Sequence, residues 1–124
     1  MSFIGSIVKR LYNATQNSLR GLADGFKTEP ALRDEAIVLA VAVPLGLFVA
    51  PSAAWYGSMI GVLIVVLAVE FLNTAIEKLA DRLTTNHDPQ IGRVKDMGSA
   101  AVGVALLMAG LFWLFALAER MGAF

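Results

Sequence analysis

The sequence predicts an all-α membrane protein, with an N-terminal amphipathic helix in the membrane interface followed by three transmembrane helices. Of its 124 residues, 57% are hydrophobic and 16% are charged, and the mean hydropathy is +0.68. These values are too apolar for an ordinary soluble domain. No charged residue occurs from position 36 to position 69, and this uncharged run ends at Glu70. We expect one membrane-embedded unit over residues 1–124, too small to enclose a large pocket alone and therefore oligomeric.

The first predicted element is an amphipathic helix over residues 1–28. Apolar residues recur at steps of three and four, and polar or basic residues occupy the opposite face. The apolar set is Ile4, Ile7, Val8, Leu11, Leu19, Leu22 and Phe26. This pattern favours a helix lying flat in the membrane interface, and a helix that packs against other helices is the alternative. Glu29-Pro30 then interrupts the pattern, because proline disfavours helix at the preceding residue and can begin a new helix.

Three membrane spans are predicted near residues 36–50, 54–80 and 97–118. The uncharged run is too long for one span of about 20 residues, and Pro51-Ser52 marks a turn within it. Trp55 and Trp113 would mark the same membrane interface, since tryptophan is enriched there. Small residues such as Gly57, Gly61 and Ala105 are assigned to helix packing.

The distribution of lysine and arginine predicts the orientation of these spans. Five precede the first span, none lies in the turn at 51–54, four lie at the end of the second span or between it and the third (78, 82, 93 and 95), and one follows the third. By the positive-inside rule, the N-terminus and the second loop are cytoplasmic. Counting about 1.5 Å per residue from Trp55, Glu70 lies about 22 Å and Glu77 about 33 Å into a core of about 30 Å. Glu70 is thus expected just inside the cytoplasmic boundary and Glu77 at the surface.

Several kinds of function are disfavoured by what the chain lacks. The formal net charge is zero, so no global field attracts nucleic acid. Cysteine is absent, which excludes disulfides, thiolate metal sites and a cysteine nucleophile. The sequence contains neither a P-loop nor a GxGxxG motif, and no protein-kinase signature. No cleaved signal peptide is predicted, because no apolar segment with a cleavage site follows the N-terminus.

The most informative feature is a polar stripe on the second span. Seven residues along a helix rotate the side chain by two full turns less about 20°, so residues seven apart point in nearly the same direction. One face of the helix therefore carries Glu70, Asn73, Thr74, Glu77 and Asp81. A charge at the bilayer centre costs about 2.5 to 3.5 kcal/mol on insertion scales, which suggests that Glu70 has a use. A carboxylate in a partly apolar site can act as a general base, and carboxylates at an interface can hold Mg²⁺ together with phosphates. Glu70 suits the first role and Glu77 the second, and a purely structural carboxylate is the alternative for Glu70.

Further charged and polar residues are predicted at the same depth from other parts of the chain. They are Arg10, Glu29, Arg33, Glu35, Lys95, Asp96 and Ser99. His87 lies in the predicted loop Asn86-His87-Asp88-Pro89, where an exposed turn residue is the ordinary interpretation.

Three sequence blocks resemble the prokaryotic diacylglycerol kinases. They are Glu70-Phe-Leu-Asn-Thr-Ala-Ile-Glu77, Asp81-Arg82, and Gly92-Arg-Val-Lys-Asp-Met-Gly-Ser-Ala-Ala-Val102, and the resemblance extends to Phe26-Lys-Thr-Glu29 and Arg33-Asp-Glu35. It covers essentially the whole chain. The resemblance implies a trimeric, multi-pass lipid kinase of the bacterial inner membrane that transfers the γ-phosphoryl group of MgATP to diacylglycerol, giving phosphatidic acid at the cytoplasmic face.

The resemblance also implies roles for individual residues. Glu70 matches the general base, and Glu29 and Glu77 match the carboxylates that hold the metal on ATP. The predicted ATP contacts are Arg10, Asn17, Glu29, Glu77, Asn86, His87, Asp88, Lys95 and Asp96. The predicted lipid-site residues are Arg10, Glu35, Glu70, Asn73 and Ser99. Asn17, Leu19 and the Asn86-His87-Asp88 run depart from the family pattern.

Two other functions are compatible with parts of the sequence. An undecaprenol kinase would share the fold but phosphorylate a polyprenol, although Gly98-Ser99-Ala100 resembles the diacylglycerol branch more. A small proton-coupled transporter could use Glu70 as its titrating carboxylate, but it would need neither Glu29, Glu77 nor Lys95. A structural subunit would show no turnover at all.

Overall fold

The computed structural model describes residues 2–124, which form four α-helices joined by short connections. They are α1 (Phe3–Thr28), α2 (Pro30–Val49), α3 (Ala53–Leu83) and α4 (Pro89–Arg120). The prediction of an all-helical chain is confirmed. The amphipathic helix predicted over 1–28 is present as α1, and Met1 lies outside the described residues.

The boundary between α1 and α2 follows from Glu29 and Pro30. Glu29 has an extended backbone conformation (φ −116°, ψ 110°), and Pro30 occupies the first turn of α2. Proline is favoured in that position, because a helix leaves its first N–H groups without partners in any case. Arg33-Asp34-Glu35 therefore belongs to α2, and the helix begins six residues before the span predicted near 36–50.

Helices α3 and α4 also extend beyond the predicted spans. The Ser52 side chain caps α3 by accepting a hydrogen bond from the Trp55 N–H at 3.2 Å. Asp88 caps α4 in the same way, accepting from Gln90 N–H at 2.9 Å. The apolar pattern predicts only the part of a helix that lies in lipid, whereas charged residues continue both helices at the end predicted to be cytoplasmic.

The described residues include two helices, α3 and α4, that are long and apolar enough to cross a membrane. Together with the family described below, this identifies an integral membrane protein. The third span near 36–50 stays a prediction, since only the C-terminal part of α2 is uncharged.

The core lies between α3 and α4. Val62 and Val66 pack against Ala105 and Ala109, as the small residues of α4 predict. The Trp113 indole N–H donates to the Met59 carbonyl at 3.2 Å. Gly57 and Gly61 on α3 face open space within the chain, so their predicted packing role is not met by contacts within one chain.

An apolar cleft lies between α2, α3 and α4. It has a volume of about 490 Å³ and is lined by Ile37, Val41, Leu45, Leu63, Leu106 and Trp113, among others. The apolar face of α1 is also exposed, with Ile4 73% accessible. Such surfaces fit contact with lipid or with another copy of the chain.

Candidate active site

The predicted polar stripe lies along α3, and its centre is the most buried polar part of the described chain. Asn73 and Thr74 are each only 7% exposed. The Asn73 side-chain NH₂ group donates to Glu77 Oε1 at 3.3 Å. The stripe is therefore held in part by its own side chains, one turn apart on the same face.

The end of α1 packs directly beside this stripe. Gly25 is buried against Phe71 and Leu32, and the rings of Phe26 and Phe71 meet edge to face with centroids 5.4 Å apart. Because Phe71 follows Glu70 in the chain, these contacts bring the junction of α1 and α2 to the level of Glu70.

Four glutamates consequently gather at this level, and we call Glu29, Glu35, Glu70 and Glu77 the glutamate cluster. The charges of Glu77 and Glu29 both act on Glu70. Burial, together with the smaller effect of the Glu70 charge, raises the pKa of the Glu35 carboxyl to about 7. Like charges this close favour a bound cation or a retained proton. The cluster contains the predicted base and both predicted metal ligands.

Lys78 joins the cluster to α1. Its ammonium group lies 3.4 Å from Glu29 and 3.6 Å from Asp24, and it donates a hydrogen bond to the Thr28 hydroxyl at 3.0 Å. In the sequence, Lys78 stands out only as one of the basic residues of the positive-inside pattern. Only its position next to Glu77 in the sequence indicated that Lys78 could reach the cluster.

The donor chemistry of the cluster fits Mg²⁺ shared with a nucleotide. No group of three potential ligands with metal-binding geometry occurs within residues 2–124. Mg²⁺, however, commonly binds through one or two carboxylates plus water and substrate phosphates, without a complete protein cage. Glu29 and Glu77 could supply those carboxylates, and the substrate would supply the phosphates.

Other predicted site residues lie outside the cluster in the single chain. Arg10 and Asn17 lie on the exposed surface of α1, where Asn17 accepts a hydrogen bond from Arg20. Lys95 pairs with Asp81. None of the predicted residues outside the cluster forms an ion pair with it among residues 2–124. Those residues are Arg10, Asn17, Asn86, His87, Asp88, Lys95, Asp96 and Ser99.

The loop between α3 and α4 shows what one of these residues does in the chain. Asp88 accepts hydrogen bonds from Gln90 N–H at 2.9 Å and Ile91 N–H at 3.3 Å. Its carboxylate therefore caps α4. Asn86 and His87 are exposed in the same loop, and contact with ATP by any of the three stays a prediction.

Comparison with known proteins decides the family. Residues 16–117 match the family model described as "Prokaryotic diacylglycerol kinase". The chain belongs to this family. The resemblance that the sequence blocks indicate is confirmed, and so is the enzyme class, since members of the prokaryotic diacylglycerol kinase family are kinases.

Individual relatives cover most of the chain. The diacylglycerol kinase of Haemophilus influenzae is 39% identical over 103 residues, which is 83% of this chain and 87% of the relative. That of Pseudomonas aeruginosa is 38% identical over 86% of each chain. That of Escherichia coli strain K12 is 34% identical over 91% of this chain and 93% of the relative. The similarity therefore includes the helices that carry the glutamate cluster.

Proposed function

We propose that this chain phosphorylates diacylglycerol with MgATP and forms phosphatidic acid. The observation that carries the proposal is the glutamate cluster, in which α1, α2 and α3 bring four carboxylates together beside apolar helices. The names of the relatives support diacylglycerol as the acceptor.

In the proposed reaction, Glu70 is the general base. The oxygen of the lipid hydroxyl forms a bond to the γ-phosphorus of ATP, the bond from that phosphorus to the β,γ-bridging oxygen breaks, and ADP leaves. The Glu70 carboxylate accepts the proton of the hydroxyl. Its position at the end of an uncharged run on α3 suits this role, because a lipid hydroxyl could reach it from the bilayer.

The remaining groups position the nucleotide. Phosphoryl transfer depends chiefly on alignment and on compensation of phosphate charge. Mg²⁺ bound with ATP would neutralise part of that charge. Glu29 and Glu77 would hold the metal, and Arg10, Lys95 and Asp96 would contact the nucleotide. Glu35, Asn73 and Ser99 would line the lipid site.

The membrane arrangement is part of the proposal. The chain is a single unit with three spans near 36–50, 54–80 and 97–118, and its N-terminus and site face the cytoplasm. The positive-inside distribution supports this orientation. We propose a homotrimer in the bacterial inner membrane. The apolar cleft and the open surfaces at Gly57 and Gly61 support contact between copies.

The test is turnover by the purified protein with MgATP and a panel of lipids. Diacylglycerol should be phosphorylated, Glu70→Gln should abolish turnover without dissociating the oligomer, and Glu77→Gln should mainly raise the Mg²⁺ and ATP concentrations required. Glu119→Gln changes a carboxylate at the C-terminal end of α4, outside the glutamate cluster. This variant is the matched control and should remain active. Retained turnover in Glu70→Gln would exclude the base role. Phosphorylation of undecaprenol alone would replace the proposed acceptor, and absence of any phosphorylation would refute the proposed function.

A further inference from the structure

One close approach between α3 and α4 lies beside the glutamate cluster. A Cβ atom placed on Gly98 would lie 2.3 Å from Asn73 Oδ1. Both residues are buried. Asn73 Oδ1 is inaccessible and has no hydrogen-bond partner in the described chain. Only the absence of a side chain at position 98 leaves room for this carbonyl.

The other end of the same amide group faces Glu77. Its NH₂ group donates to Glu77 Oε1 at 3.3 Å. An ionised carboxylate accepts hydrogen bonds but cannot donate them. The amide therefore presents its nitrogen to Glu77 and its oxygen to Gly98. The hydrogen bond to Glu77 and the space at Gly98 thus depend on the same orientation of the Asn73 side chain.

Gly98 differs in this respect from the other glycines of α4. Gly92, Gly103 and Gly110 have no atom within 4 Å of an added Cβ. If glycine were needed in α4 only for helix packing, the close contact would have no reason to occur at a polar group. The contact at Gly98 is thus linked to the site and not only to the approach of two helices.

We propose that Gly98 is a positioning residue, which acts through Asn73 to orient Glu77 for the metal-bound nucleotide. The inference rests on the proposed function for the role of Glu77. A methyl group at position 98 forces the Asn73 amide to rotate, because the amide is the movable end of a side chain. Rotation removes the hydrogen bond to Glu77. The cost then falls on metal binding and not on the fold.

The first experiment compares Gly98→Ala with Gly103→Ala in the full-length protein in detergent. The binding of Mn²⁺, added with a non-hydrolysable ATP analogue, is followed by the loss of the free Mn²⁺ electron paramagnetic resonance signal. We expect Gly98→Ala to weaken Mn²⁺ binding at least tenfold, in the range found when the partners that orient a metal ligand are removed. Gly103→Ala should bind Mn²⁺ like the wild type, and neither variant should unfold at a lower denaturant concentration than the wild type.

The second experiment asks whether Gly98 acts through Asn73. Asn73→Ala alone should weaken Mn²⁺ binding, because Glu77 loses its donor. Adding Gly98→Ala to Asn73→Ala should have less than a twofold further effect, since the amide that the methyl group displaces is already absent. This non-additivity distinguishes positioning from two independent packing defects. Turnover should show the same pattern as a raised Mg²⁺ requirement.

Three results would overturn the inference. They are Mn²⁺ binding by Gly98→Ala equal to that of the wild type, an undiminished effect of Gly98→Ala in the Asn73→Ala background, and loss of the folded state in Gly98→Ala. The last result would mean that rotation of Asn73 does not relieve the clash. A wild-type protein that binds Mn²⁺ with the nucleotide but phosphorylates no lipid would instead overturn the proposed function and leave the positioning role intact.

Discussion

Gly25→Ala should destabilise the contact between α1 and the site, whereas Gly21→Ala on the same helix should not. A Cβ atom at Gly25 would lie 2.3 Å from Phe71 Cε1 and 2.9 Å from Leu32 Cδ1. Leu32 is fully buried, and the Phe71 ring is held edge to face by Phe26. Neither neighbour can move away freely. At Gly21, no atom lies within 4 Å of an added Cβ.

The expected magnitude follows from two opposing effects. Adding a methyl group to a packed site costs about 1 to 3 kcal/mol, and replacing glycine by alanine inside a helix gains about 1 kcal/mol. Gly25→Ala should therefore lose up to about 2 kcal/mol of unfolding free energy, whereas Gly21→Ala should gain about 1 kcal/mol. The helix contribution cancels between the two variants, so their difference of about 1 to 3 kcal/mol measures the contact itself.

Denaturation of the full-length protein in mixed micelles would measure both variants, and lipid kinase turnover would be assayed in parallel. We expect Gly25→Ala to lose turnover as well as stability, because displacement of Phe71 moves the backbone next to Glu70. Equal stability of the two variants would refute the packing of α1 against α3 described here. Full turnover in a destabilised Gly25→Ala protein would show that this contact does not position Glu70.

Three further predictions concern other contacts. Tyr56→Phe removes a hydrogen bond from the Tyr56 hydroxyl to the Val43 carbonyl at 2.8 Å, and denaturation should show a loss of about 0.6 kcal/mol, the average for bonds between membrane helices. The native Glu35 carboxyl keeps its proton to about pH 7, against a usual pKa of 4.5, so its contribution to stability is full below about pH 4.5 and is lost as pH rises to about 7. Unfolding curves of Glu35→Gln should lack this part of the pH dependence. An unchanged dependence of the unfolding free energy on pH would contradict the assignment. Lys78→Met should change stability by less than about 1 kcal/mol, as for other exposed ion pairs, yet hydrogen exchange at residues 24–29 should become faster.

The breaks between helices were predictable where a proline interrupts the sequence pattern. Proline at position 30 and the Pro51-Ser52 turn gave the breaks between α1, α2 and α3 correctly. Helix α4 starts at Pro89, eight residues before the membrane span predicted near 97, because that prediction followed the apolar pattern. Asp88 caps the helix before that pattern begins. Hydropathy locates the part of a helix that lipid would surround, whereas capping residues locate the end of the helix itself.

Helical spacing predicts the part of the site that lies on one helix, whereas Glu29 and Glu35 were expected from the charge pattern and the family resemblance. Glu70, Asn73 and Glu77 follow from helical spacing alone, since their relative positions do not depend on the tertiary fold. Lys78 and Gly98 matter through contacts between helices, with Glu29 in one case and Asn73 in the other. Single-helix periodicity contains no information about which turn of a neighbouring helix lies opposite.

The two close glycine contacts together explain why the polar stripe can sit at the edge of an apolar bundle. Gly25 brings α1 against Phe71 on one side of the stripe, and Gly98 brings α4 against Asn73 on another. A larger residue at position 25 would push against Phe71, and one at position 98 would turn the Asn73 amide away from Glu77. The absence of two side chains is therefore as much a part of this site as the presence of its four glutamates.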